Sequence, residues 1–204
     1  MLPVTYTFTK WGDVVTISEW RFDNPKLDDY ELHKELWKAF KSDKNHERPF
    51  LFRSTRVEKM SYAIMLSHYE PEELNSMTRK SNFAPVLENG SYYNFVLRAN
   101  AIKRLKDERC RVPLISQVSL TDWLERKLAG AARISFVEIN DGERLHFWKC
   151  GKSKGKECSV DIARTDYSGA IECIDKDSLL SLICNGIGPA KGFGCGLLLL
   201  KKLS

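Results

Sequence analysis

The chain has 204 residues, 43% hydrophobic and 29% charged, and 32 Lys and Arg against 27 Asp and Glu give it a net charge of +5. This fits a soluble globular protein with one large domain or two of about 100 residues, and the mildly basic balance permits a polyanionic partner. The longest apolar stretch, Leu197 to Leu200, is too short to span a bilayer, and six cysteines without a close C-x-x-C pair argue against a structural zinc site.

Val14, Val15, Thr16, Ile17 and Trp20 give a first strand within residues 12–20, broken by Asn24-Pro25. A helix follows over Asp28 to Phe40. Asp28 is its expected N-cap, Glu31 completes an acidic capping box, and Leu27 and Leu32 staple its start. Leu32, Leu36, Ala39 and Phe40 form its apolar arc, with Tyr30, His33 and Trp37 on the rim. Pro49 to Arg53 and Ser61 to Leu66 read as strands, Pro71-Glu72-Glu73-Leu74 as a second helix start, and Asn82 to Leu87 as a closing strand before the Glu88-Asn89-Gly90 turn.

The same order then runs again without an evident sequence repeat. Tyr92 to Asn100 gives a strand, Ser119 is the expected cap of a helix bearing Leu120, Trp123, Leu124 and Leu128, and Gly130 is its stop. Phe136 to Ile139 and residues 158–174 supply strands or a hairpin. Asp175 caps a helix closed by Asn185-Gly186, and Phe193 to Leu200 is the expected last strand. Two β-α-β-β-α-β units imply an α+β fold of two tandem ferredoxin-like, RRM-like domains with antiparallel sheets, residues 1–89 and 90–204.

Four stretches are candidates for chemistry. Tyr30 and His33, three apart on a helix rim, can address one small site. An imidazole with an ordinary pKa of about 6.5 can take and give protons, as RNA cleavage by a 2′-hydroxyl requires. From the helix alone His33 reads more readily as a packing residue beside Trp37, the commoner fate of such side chains. The other histidines, His46, His68 and His146, lie in polar loops or at strand ends and read as solvated. A basic connection carries Arg98, Lys103, Arg104, Lys106, Arg109 and Arg111, and a Gly/Ser-interleaved cluster carries Lys149, Lys152, Lys154 and Lys156; each suits phosphate contacts or an ordinary solvated loop. The run Gly186 to Gly196 fits neither a dinucleotide fingerprint nor a Walker loop, and its Lys191-Gly192-Phe193-Gly194 only opens like an RRM signature. So many glycines indicate a backbone that approaches a neighbour or a phosphate closely. No nucleophile elbow or paired Cys and His supports acyl-transfer or thiol chemistry.

Several separated motifs agree with one another. Tyr30-x-x-His33 leading to Leu36-Trp37, Phe50-Leu51-Phe52-Arg53, Leu97 to Asn100, Cys110 to Ile115, Trp123 to Leu128 with Ala131-Ala132-Arg133, and Gly186 to Lys191 through Gly194-Cys195-Gly196 together resemble the CasE family. That family is the CRISPR repeat-processing endoribonuclease of subtype I-E Cascade. The resemblance runs from about the first strand onward; the first dozen residues are an extension without a counterpart. It implies cleavage of precursor CRISPR RNA at the base of each repeat stem-loop, with no metal and no cofactor. It further implies 2′,3′-cyclic phosphate and 5′-hydroxyl ends, and an enzyme that stays on the hairpin with the other Cascade subunits. The alternative is a non-catalytic RNA-hairpin-binding subunit. Carried over by motif, His33 is the general acid/base and Tyr30 its partner, with their division of labour open, and Gly188, Lys191, Gly192 and Gly194 lie at or beneath the RNA surface. Contacts from Arg98, Lys103, Arg109, Arg111, Lys152, Lys154 and Lys156 are inferred from charge. The expected setting is cytoplasmic, away from membranes, with a monomer when free.

Overall fold

The computed structural model describes residues 15–24, 27–40, 48–104, 111–150 and 157–203. In the first half, β1 (Thr16–Phe22) leads to α1 (Asp29–Trp37), whose last turn tightens into a 3-10 turn at Lys38–Phe40; β2 (Phe50–Val57), β3 (Met60–Ser67) and β4 (Met77–Asn82) follow. The second half comprises β5 (Tyr92–Ala99), the short hairpin β6 (Ile102–Arg104) and β7 (Arg111–Pro113), α2 (Gln117–Leu128), β8 (Ala132–Asp141), the hairpin β9 (Leu145–Cys150) and β10 (Glu157–Ile162), β11 (Thr165–Cys173), α3 (Lys176–Asn185) and β12 (Leu198–Lys202). The two main sheets are antiparallel and run β2-β3-β1-β4 and β12-β5-β11-β8. Counted within each half, both have the order second, third, first, fourth or its reverse, the ferredoxin-like arrangement.

Alternation along β2 explains how the first sheet is buried on two sides, since neighbouring side chains on a strand point to opposite faces. Phe50 and Phe52 join Leu32, Leu36 and Met65 in a core beneath α1, whereas Leu51, with Leu66 of β3, joins the larger core of the second half. There α2 and α3 bring Leu120, Leu124, Leu179 and Ile183 against Phe95, Leu97 and Tyr167.

Four expectations need correction. The second helix of the first half does not form. Residues 68–76 instead run as an irregular segment, with Pro71 buried and the Glu72 N–H donating to Ala39 O at 2.9 Å. A single half-buried Leu74 offers too little apolar surface to stabilise a helix there. The closing strand lies earlier, at Met77–Asn82, because it is a polar edge strand that hydrophobic alternation cannot reveal. Ser116, not Ser119, caps α2, its hydroxyl accepting from Ser119 N at 3.2 Å. The last strand begins only at Leu198, because Gly194 at φ +72° and Gly196 at φ +93° are incompatible with extended backbone and Lys191–Phe193 coils into a 3-10 turn.

Candidate active site

The cap that starts α1 also aims it. Asp28 Oδ1 accepts from Glu31 N at 2.7 Å, fixing the first turn, and the next residue, Asp29, points inward with 1% of its surface exposed. Its carboxylate accepts from Ser54 Oγ on β2 and from Arg164, which lies between β10 and β11. Arg164 also pairs with Glu143 at 3.1 Å, and Glu143 with Arg56 at 2.9 Å. This chain of charges, buried at Asp29 and Arg164 and open to water at Glu143, ties the start of α1 to the second half, so the helix rim faces the glycine-rich turn.

Tyr30, His33 and Trp37 lie along that rim. The Tyr30 ring stacks on Phe193 with centroids 6.2 Å apart, and Lys34 Nζ sits 3.9 Å from the Tyr30 ring centre. His33 is half-buried among Phe50, Phe52 and Trp37, and its Nε2 accepts from Trp37 Nε1–H at 2.9 Å. Nδ1 is buried without a hydrogen-bond partner. Burial, and secondarily the Arg48 guanidinium, lower the imidazole pKa to about 4. At neutral pH the free protein therefore holds His33 as a neutral ring, the form that accepts a proton.

The glycine turn closes over this rim. A side-chain carbon on Gly192 would stand 3.2 Å from Arg48 Nη1 and 3.7 Å from His33 Cε1, so any larger residue here would press on the tip of Arg48 and on the imidazole. Gly188, at φ +80°, has the Trp123 ring 3.0 Å from such a carbon, and Gly194 packs on Asp29 and Phe52. These two glycines support the turn from beneath. Ala190 adopts φ +59°, a left-handed conformation unusual for a residue with a side chain. Lys191 Nζ donates to Asn185 O at the end of α3; burial, then Arg48 and Lys127, lower its pKa. Cys195 is sealed below, and burial pushes its thiol up to about 12, far from a reactive thiolate.

The remaining sequence candidates disperse. Arg98 is half-buried, donates twice to the Asp166 carboxylate at 2.9 Å and reaches Ser54 O at 3.3 Å, so it braces the two halves. Lys103 and Arg111 are exposed on the β6-β7 hairpin. Arg109, Lys152, Lys154 and Lys156 lie outside the described residues, as does His46. His146 is exposed as expected, but His68 is only 5% exposed and hydrogen-bonds the backbone of Cys184, correcting its reading as solvated. Sequence reasoning missed Arg48, which stands just before β2 at the end of a polar stretch with no periodicity to single it out. It also read Phe193 as a strand residue, although it forms the ring contact to Tyr30.

Comparison with known proteins converges on one group. The model of the family described as CRISPR associated protein matches residues 15–202. The CRISPR system Cascade subunit CasE of Escherichia coli K12 is 34% identical over 192 residues, spanning 85% of this chain and 92% of its own. The CRISPR-associated endoribonuclease Cse3 of Thermus thermophilus is 34% identical over 188 residues, spanning 83% of this chain and 88% of its own. Among solved structures, Cas6e from Escherichia coli K-12 matches with a TM-score of 0.76 and 30% identity over 92% of this chain and all of that one. The endoribonuclease Cse3 bound to a 19-nucleotide RNA matches with a TM-score of 0.77 and 25% identity, over 92% of this chain and 99% of that one.

Proposed function

The chain belongs to the CRISPR associated protein family as a CasE member, and from that premise we propose that it cleaves precursor CRISPR RNA at the base of the repeat stem-loop and stays bound as a Cascade subunit. The observation that carries this reading is the meeting of His33 and Arg48 at the bare backbone of Gly192, with Tyr30 stacked on the adjoining Phe193. The reaction needs no group beyond these. The 2′-oxygen bonds to phosphorus as its proton leaves, the P–O5′ bond breaks, and the departing oxygen gains a proton, giving 2′,3′-cyclic phosphate and 5′-hydroxyl ends. His33 starts neutral and is suited to take the first proton. Tyr30, across the rim and against Phe193, orients the reacting groups or supplies the second. Because Nε2 is held by Trp37 and Nδ1 faces the core, the imidazole leaves its Trp37 bond to reach the RNA.

Lys103 and Arg111, with Arg109, Lys152, Lys154 and Lys156, contact phosphates, and Gly188, Lys191, Gly192 and Gly194 form or underlie the RNA surface; Arg98 contributes by bracing the platform. The domain division is 1–89 and 90–204, the free protein is a monomer, and it works in the cytoplasm. No described helix is long and apolar enough to cross a membrane.

Incubating the protein with its repeat hairpin in EDTA should cut the RNA at one position, leaving the cyclic phosphate on the 5′ product. Cutting that requires added magnesium would overturn metal independence. Intact RNA in both conditions would favour the non-catalytic hairpin-binding subunit.

A further inference from the structure

Four described arginines are withdrawn from water, and three of them have a carboxylate. Arg53 and Arg98 share Asp166, and Arg164 holds Asp29 and Glu143. Arg48 is the exception: half-buried, it has no carboxylate partner among the described residues. A cation removed from water without a counter-charge is costly, and burial lowers its pKa accordingly. Among the described residues, the charge beside it has the same sign. Lys191, tied to Asn185 O on the glycine turn, feels both Arg48 and Lys127 as like charges.

The guanidinium is also oriented. Nε donates to Phe50 O at 2.8 Å, which fixes its plane and leaves the terminal nitrogens available. Nη1 is 3.2 Å from the point where a side chain on Gly192 would begin, and that point is 3.9 Å from His33 Nε2. An oriented cation, an imidazole and backbone without a side chain thus border one small volume of positive potential. Its complement is a phosphate.

We propose that Arg48 grips a non-bridging oxygen of the scissile phosphodiester over Gly192 and holds it beside His33, an assignment that rests on the endoribonuclease reading above. As the 2′-oxygen bonds to phosphorus and the P–O5′ bond breaks, negative charge gathers on the non-bridging oxygens, where the fixed N–H groups of Arg48 meet it. Arg48 moves no proton. Its second effect is on timing: a bound phosphate offsets the guanidinium charge that disfavours imidazolium, so His33 becomes a better proton acceptor once the substrate is seated.

The test measures single-turnover cleavage of the repeat hairpin, and affinity for a hairpin with a 2′-deoxy scissile nucleotide, for the unaltered protein, R48A, R48K and H33A. R48A should cleave about 10²–10³-fold more slowly, as for loss of a transition-state donor, with affinity within about threefold of the unaltered protein and an unchanged thermal midpoint. R48K should recover part of the rate, since it keeps the charge but not the fork. Sulfur at one non-bridging oxygen should slow the unaltered protein and leave R48A nearly insensitive. R48A cleaving at the full rate while H33A is inactive would overturn the Arg48 assignment and leave the endoribonuclease reading standing. Equal losses of affinity and rate, or an unchanged sulfur effect, would also overturn it, making Arg48 an anchor or a structural residue. An unaltered protein that leaves the hairpin intact would remove the reading and Arg48's role together.

Discussion

The two halves share a strand order but not a way of being buried. The first sheet is covered on both faces, by α1 over Phe50, Phe52 and Met65 and by the second half over Leu51 and Leu66. The second sheet has α2 and α3 on one face, while its other face leaves Tyr92 49% and Phe136 62% exposed. The absent helix of the first half belongs to the α1 face, and there the irregular segment 68–76 lies instead, with the Glu72 N–H on Ala39 O and Leu74 packed against the core beneath α1. α1 reaches the second half along its rim, where Asp29 pairs with Arg164 and Tyr30 stacks on Phe193 of the glycine turn. Chemical groups come from one half, and the surface they act across comes from the other.

The predictions test that division. The largest effect is expected from His33→Ala, which should slow cleavage about 10²–10⁴-fold with little change in hairpin affinity, measured by single-turnover assay and equilibrium binding. Parallel losses of both would make His33 a packing residue and leave the first half without its chemistry. Next, Asp29→Ala leaves the buried Arg164 guanidinium with only the exposed Glu143 and should destabilise the protein by about 3 kcal/mol in urea, in one transition for both halves. Two separate transitions would show that the halves do not depend on each other.

A subtler effect concerns His33. Its folded pKa lies near 4, below the ordinary value of about 6.5, so the unfolded chain binds more protons between those values. The stability this site contributes is present above about pH 6.5 and is lost as the pH falls toward about 4. Arg48, just before β2, is the charged group that bears on the ring, with Lys191 beside Arg48 on the glycine turn and Lys34 on the same helix over Tyr30. NMR titration should give a midpoint near 4 in the free protein and a higher one with the 2′-deoxy hairpin; a free-protein midpoint near 6.5 would contradict the buried geometry. The smallest effect is expected from Lys103→Ala on the exposed β6-β7 hairpin. It should weaken RNA binding modestly and flatten the dependence on log salt by about one unit of slope. An unchanged slope would remove that hairpin from the interface.

Elements with strong local signals were legible in the sequence. Asp28 and Glu31 marked the start of α1, and Asp175 and Gly186 bounded α3, because capping depends on a few adjacent residues. What failed depended on contacts distant in sequence. Residues 71–74 look like a helix start until the Glu72 N–H is taken by Ala39 O at the end of α1, and β4 is polar because it is an edge. The pairing of Arg98 with Asp166 turns a basic residue of an apparent RNA loop into a brace. His33 was legible as a residue type, but its neutrality was not, since that comes from Phe50, Phe52 and Arg48 folding over it. Arg48 itself carried no signal, because only the fold gives it Gly192.

Ala190 bears on how that seat is kept. Holding a residue with a side chain at φ +59° costs about 1–2 kcal/mol in the native state, a cost glycine would avoid. Glycine would also give the unfolded chain more freedom to lose, worth about 0.4–1 kcal/mol in the opposite sense. The strain outweighs the entropy gain, so alanine at this position costs the fold up to about 1 kcal/mol relative to glycine. It narrows the range of shapes the turn samples once folded. Sharpness of the ground state, rather than its depth, is what Ala190 gives to the backbone over which the phosphate is to lie.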